Sequence, residues 1–183
     1  MKVIHLMFIC AIIILAGCQK VDKYLNKNNY LFVSAGENGN NELINQILDQ
    51  KKVDIDWQRA DGDLNTALIA AARSEHEKTV LILLSRGANP NIQDINGWSA
   101  VHWAVEKNNT NLIQILASNK SNIDIKDIRG YTPLVYAVDH NKINAVILLI
   151  RLGASTNFFL GNGKSISEVI SSNQELMSLI KPH

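Results

Sequence analysis

Few residues of this 183-residue chain stand where they could do chemistry. There are two cysteines, Cys10 and Cys18, and five histidines: His5, His76, His102, His140 and His183. None of the histidines lies at a metal-ligand spacing from a Cys, Asp or Glu, so no metal site is expected. No serine or acid combination suggests a nucleophilic triad or a carboxylate pair. The stretch Gly161-Asn162-Gly163-Lys164-Ser165 looks like the end of a phosphate-binding loop, but G-x-x-x-x-G-K-[ST] needs a glycine where the chain has Phe158. No catalytic residue and no cofactor is therefore expected, and binding is the function left. Two kinds of residue remain: Cys18, which closes an apolar run, and a pair of aromatic positions, Trp98 with Tyr131 and Trp103 with Tyr136.

The bulk composition narrows the partners. Lys and Arg number 18 against 17 Asp and Glu, so no basic field points to nucleic acid. An apolar fraction of 46% is enough for a core, and there is no low-complexity stretch or block of like charge. The length allows one ordinary domain with a short appendage.

The appendage is the N-terminus. After Met1-Lys2 an apolar run extends from Val3 to Gly17, interrupted by His5. At about 1.5 Å per residue it reaches about 22 Å, short of the roughly 30 Å hydrocarbon core, and reads as a secretory signal rather than a span. Leu15-Ala16-Gly17-Cys18 resembles the lipobox of bacterial lipoproteins, in which small residues precede an obligatory cysteine. The resemblance implies cleavage before Cys18, acylation of its thiol with three chains in all, and firm attachment to a membrane, since two or more chains anchor stably. Cys10 would leave with residues 1–17, so the mature chain has no free thiol and no disulfide. Gln19 stands where an Asp would favour inner-membrane retention, so the resemblance implies outer-membrane attachment facing the periplasm. Residues 18–29 are then the lipidated cysteine and a polar tether.

Beyond the tether the chain repeats. Thr66, Ser99, Thr132 and Ser165 stand 33 residues apart, and so do Ala71, Ala104 and Ala137, Leu83, Leu116 and Leu149, and Gly97, Gly130 and Gly163. Asp61, Asp94 and Asp127 share another register. Thr132-Pro133-Leu134-Val135-Tyr136-Ala137 is the clearest copy of the T-P-L-H-x-A helix start of ankyrin repeats, and Gly87-Ala88-Asn89-Pro90-Asn91 echoes their G-A-D-x-N. The chain thus resembles the ankyrin-repeat family over residues 30 to about 180, which implies an all-α solenoid of about five helix-turn-helix units with hairpin-like loops. The units fall at about 30–59, 60–93, 94–126, 127–159 and 160–183, the first and last being caps. Ser or Thr caps each inner helix, Pro133 suits a first turn, and alanines let neighbouring helices approach. Each unit buries its apolar face only against its neighbours. Leu64 replaces a turn glycine and Lys120 a helix-ending one, so strained or rebuilt turns are expected at both.

Position in the repeat assigns the aromatic residues. Trp98 and Tyr131 precede the capping Ser or Thr, a place that in ankyrin proteins lies on the exposed hairpin and commonly contacts partners. Trp103 and Tyr136 lie on inner helices, where packing between repeats is expected. Rigid amphipathic rings make effective hot spots. The partner-binding set expected from the resemblance is Trp98, Tyr131, Asn96, Arg129, Glu106, Lys107, Asp139 and His140; the flanking units offer only Asn65 and Lys164 at the aromatic place, so any hot spot should centre on units three and four. The implied function is a lipid-anchored, periplasm-facing binder of another protein. That partner is expected to be a periplasm-acting toxin, such as a phospholipase, which the chain would inhibit as an immunity factor. The alternative is a scaffold or stress-protection factor supporting a resident periplasmic enzyme.

Overall fold

The computed structural model describes residues 27–50, 53–60, 62–160 and 163–172. The leader, Cys18, most of the tether and the end of the last unit lie outside the described residues. Within them the chain forms helices α1 (Lys27–Glu37), α2 (Asn41–Asp49), α3 (Ala67–Arg73), α4 (Glu77–Ser85), α5 (Ala100–Glu106), α6 (Thr110–Ser118), α7 (Pro133–Asp139), α8 (Ile143–Arg151) and α9 (Ile166–Ser172). An isolated bridge between Phe159 and Ser165 is the extent of β pairing there. Among the described residues, no helix is long and apolar enough to cross a membrane.

Local chemistry starts each inner helix. The Thr66 hydroxyl accepts the Ile69 N–H at 3.1 Å, and Thr132 accepts that of Val135 at 3.3 Å, with Pro133 filling the first turn. Ser165 accepts from Glu168 N–H at 3.1 Å while the Glu168 carboxylate takes the Ser165 N–H at 2.9 Å, a reciprocal capping box. The Gly-Lys-Ser run therefore ends in a helix cap. A left-handed residue (Gly39, Glu75, Asn108 or Asn141) then reverses the chain into the outer helix. At Gly39 a side chain would force a shift, because a Cβ would come within 2.8 Å of the His76 ring, whose Nε2 lies 3.1 Å from the Glu37 carbonyl oxygen of the preceding unit.

Helix pairs then stack. α1 packs on α3, α3 on α5 and α5 on α7, while α3, α5 and α7 each pack on their own outer helices. Ala71, Ala104 and Ala137 are fully buried, so the inner helices meet almost backbone to backbone; Leu83, Leu116 and Leu149 fill the layer beneath. The chain is an all-helical solenoid of repeats.

The connecting hairpins also form a row. Ile95 N–H donates to the Asp63 carbonyl at 2.9 Å, and Ile128 N–H to that of Asn96 at 3.2 Å. Gln58 Nε2 donates to its own turn at Leu64 and to the next hairpin at Gln93, both at 2.8 Å; Gln93 Nε2 likewise reaches Gly97 and Lys126. In the arms, Asp56, Asn91 and Asp124 accept the backbone N–H groups of Asn89, Asn122 and Ser155 from the following unit.

Both expected turn departures take their glycine's conformation, with Leu64 at φ 56° and Lys120 at φ 65°. The first hairpin is also widened. Its closing bond runs from Arg59 N–H to the Asn65 carbonyl, whereas the later ones join Asp94 to Trp98 and Asp127 to Tyr131. Arg59, rather than Asp61, thus holds the place of Asp94 and Asp127, because two extra residues are accommodated within the turn. This corrects the register expected for Asp61, which itself lies outside the described residues.

Candidate functional site

Two aspartates organise the most elaborate surface of the molecule. Asp94 Oδ1 accepts the N–H groups of Asn96 at 2.8 Å and Trp98 at 2.9 Å, and Asp127 Oδ1 accepts those of Arg129 at 2.8 Å and Tyr131 at 2.9 Å. Each aspartate so pins the turn that follows it, and its second oxygen is left for side chains. Asp94 Oδ2 accepts Trp103 Nε1–H at 3.0 Å. Asp127 Oδ2 accepts Trp98 Nε1–H at 3.3 Å and Arg129 Nε–H at 3.0 Å, with Arg129 Nη2 in ion-pair contact at 3.0 Å. Burial on its own would raise the Asp127 carboxyl, but the bonds from Tyr131, Arg129 and Trp98 outweigh it and hold the group below the usual carboxylate range.

These bonds aim the rings. Trp98 packs edge-on against Trp103 at 4.8 Å and Tyr136 at 4.9 Å between centroids, and lies nearly parallel to His102 at 6.0 Å. Arg129 lies over Tyr131 at 4.9 Å, and Arg73 over Trp103 at 5.7 Å. Beneath them, His102 is completely buried: Ser99 N–H and Oγ lie 3.3 Å from its Nδ1, and its Nε2 is 3.3 Å from the Tyr131 carbonyl. Burial pushes its pKa down to about 4 against the pull of the Tyr131 carbonyl and Asp127, so the ring is neutral at pH 7, accepting at Nδ1 and donating from Nε2. The Tyr136 phenol donates to Glu106; burial and that carboxylate push it above its ordinary value, so it stays protonated.

The result is a surface cleft of about 310 Å³ lined by Asn96, Trp98, Trp103, Ile128 and Arg129. It spans the hairpins that open the third and fourth units and the inner helix between them. Of the residues expected at the interface, Asn96, Trp98 and Arg129 meet here. Tyr131 lies under Arg129 and carries the carbonyl that seats His102. Glu106 is held by Tyr136 and Lys142, and His140 stacks on Tyr136 at 3.9 Å with Asp139 at 3.8 Å, so this trio gathers around Tyr136 rather than lining the cleft. Lys107 is exposed at the C-terminal cap of α5.

Three placements depart from the register-based expectation. Trp98 is half-buried rather than presented on an exposed hairpin, because Asp127 draws its indole inward. Trp103, expected to pack between repeats, also walls the cleft, since Asp94 turns it towards the hairpins. Asn65, at the place of Trp98, is wholly buried in the widened first hairpin. Ile128, 73% exposed at a hairpin tip, joins the cleft from outside the expected set. Its signal in the sequence is the apolar pair Ile95 and Ile128, 33 residues apart at turn positions that otherwise favour polar residues. Among the described residues, no group of three or more His, Cys, Asp or Glu could hold a metal ion.

Stacked helix pairs, a hairpin row and a shallow cleft along it define a repeat protein of the protein-interaction class. The family model described as ankyrin repeats (3 copies) matches residues 5–94 and 86–159, and the chain belongs to the ankyrin-repeat family. It is similar, at 41% identity over 64 residues, to a protein of Acanthamoeba polyphaga mimivirus named as an ankyrin repeat protein, L92. That match covers 34% of this chain and 15% of the viral protein. Members of the family generally act by binding proteins rather than by catalysis.

Proposed function

We propose that the chain binds a protein through the cleft between its third and fourth units, and does so from the surface of a bacterial envelope membrane. The observation that carries the binding face is the cleft itself. Its two indoles are held in place by buried aspartates, so little of their side-chain entropy is lost when a partner covers them, and Ile128 stands exposed beside them. Anchoring rests on Leu15-Ala16-Gly17-Cys18 and the short apolar run before it. A binder tethered beside a membrane suits inhibition of a toxin that attacks that membrane from the periplasm, such as a phospholipase.

Affinity capture of the full chain from envelope fractions, followed by mass spectrometry, tests the binding face. A partner lost on Trp98→Ala together with Tyr131→Ala, with helical circular dichroism kept, supports it; a partner indifferent to both substitutions counts against it. Cys18→Ala should abolish labelling by radioactive fatty acid, and unchanged labelling removes the anchor. Deleting the gene should sensitise cells to attack by toxin-delivering neighbours; unchanged survival removes the inhibitor role. Recovery of a resident periplasmic enzyme instead of a toxin would favour the scaffold role.

A further inference from the structure

The cleft also has a chemistry of its own, which follows from what its walls have already spent. The two indole N–H groups are consumed internally, by Asp94 and Asp127, so Trp103 and Trp98 offer a partner ring surface rather than donors. Ile128 adds an aliphatic wall that is 73% exposed. Arg129 is the one ionised residue among those lining the cleft, and its side chain is 49% exposed. It is already paired with Asp127, whose side chain is 1% exposed and accepts the Arg129 and Tyr131 backbone N–H groups, the Arg129 Nε–H and the Trp98 indole. A guanidinium has five N–H donors in a rigid fork, of which Asp127 takes the Nε–H and faces Nη2, leaving the outer edge for a partner. The surrounding acids are turned elsewhere, Asp94 to its own turn and Trp103, and Glu106 to Tyr136 and Lys142.

We infer that the cleft accepts a partner segment in which an apolar side chain stands beside an Asp or Glu. The apolar group covers Ile128 and the indoles, and the carboxylate meets the outer edge of Arg129. This rests on the proposal that the cleft face binds protein, and it names the recognised chemistry. A single guanidinium suits one carboxylate better than a phosphate-rich surface, which would call for several cations.

Peptide display provides the test, with random 12-residue sequences fused at their C-termini, so that no terminal carboxylate is on offer, and selected on the purified full chain. Enriched sequences should pair an apolar residue with Asp or Glu within two positions. A representative synthetic peptide with blocked ends is then titrated by tryptophan fluorescence against Ile128→Lys and Ile128→Glu. Both variants lose the branched apolar wall at an exposed position and place opposite charges beside Arg129. Ile128→Glu should bind at least tenfold more weakly than Ile128→Lys, and Arg129→Gln at least fivefold more weakly than the unaltered chain. No enrichment, enrichment of basic or uncharged sequences, or equal affinities for the two Ile128 variants overturns the inference. A captured partner that depends on Trp98 yet ignores the charge at residue 128 would overturn this chemistry and leave the binding face standing.

Discussion

At His102 the demands of folding and of the site meet in one ring. Its neutral form accepts from Ser99 and donates to the Tyr131 carbonyl, so protonation removes an acceptor from the helix start and places a charge in the core. The folded pKa of about 4 lies below the ordinary 6.5. A group depressed in this way contributes stability that is complete above its unfolded pKa and is lost as pH falls through the folded one. About 3 kcal/mol should therefore disappear between pH 7 and pH 4. Urea unfolding at pH 7, 5.5 and 4.5 should show most of that loss, and His102→Gln should flatten the part that this ring carries; a pH-independent midpoint above pH 4.5 refutes the assignment. Lys120 is a second single-residue case. It is exposed and adopts φ 65°, a conformation that crowds a Cβ. Lys120→Gly should raise stability by roughly 0.5–1 kcal/mol, the relief of the left-handed strain less glycine's greater unfolded entropy. Unfolding midpoints in urea decide it, and a lower midpoint for the glycine variant would mean that the lysine side chain contributes more than its backbone costs.

Single elements show which parts of the fold could be read from the sequence. Helix starts were legible, because a cap is chemistry confined to four residues: Thr66, Ser99, Thr132 and Ser165 each begin a helix where the 33-residue period puts them. The strained turns at Leu64 and Lys120 were legible for the same reason, a missing glycine at a place that needs one. The bond that closes the first hairpin was not, since it joins Arg59 to Asn65 across a turn whose aspartate still matches the period. Nor was the seating of Trp98, which depends on a carboxylate 29 residues further along the chain. Cleft residues such as Asn96 and Arg129 could be named from their register, but the hydrogen bonds that aim the indoles belong to the stacked units together. A cap also predicts its own failure. Ser165→Ala removes the acceptor for Glu168 N–H and should cost α9 about 1 kcal/mol. Amide exchange should then speed up in residues 166–172 while α5 and α7 keep their protection; equal acceleration everywhere would show that the last unit folds as one with the middle ones.

Over the whole molecule, stability is held in the seams between units. The inner helices approach through Ala71, Ala104 and Ala137, all fully buried. Ala104→Leu should force α5 away from α3 and α7, costing about 1–3 kcal/mol, and should broaden the urea transition as the first two units uncouple from the rest. A single transition at the original midpoint would show that the seam has slack. The amide relay along the hairpins leads to a different property of the assembly. Gln58 and Gln93 each fasten their own turn to the next hairpin, but the following place is Lys126, whose ammonium lies 4.9 Å from the centroid of the Phe158 ring. The row of hairpins is therefore riveted from the first to the fourth unit by the same side-chain amide used twice. Load taken by Trp98 or Arg129 passes back along that relay towards the first hairpin, on the side nearer the N-terminus.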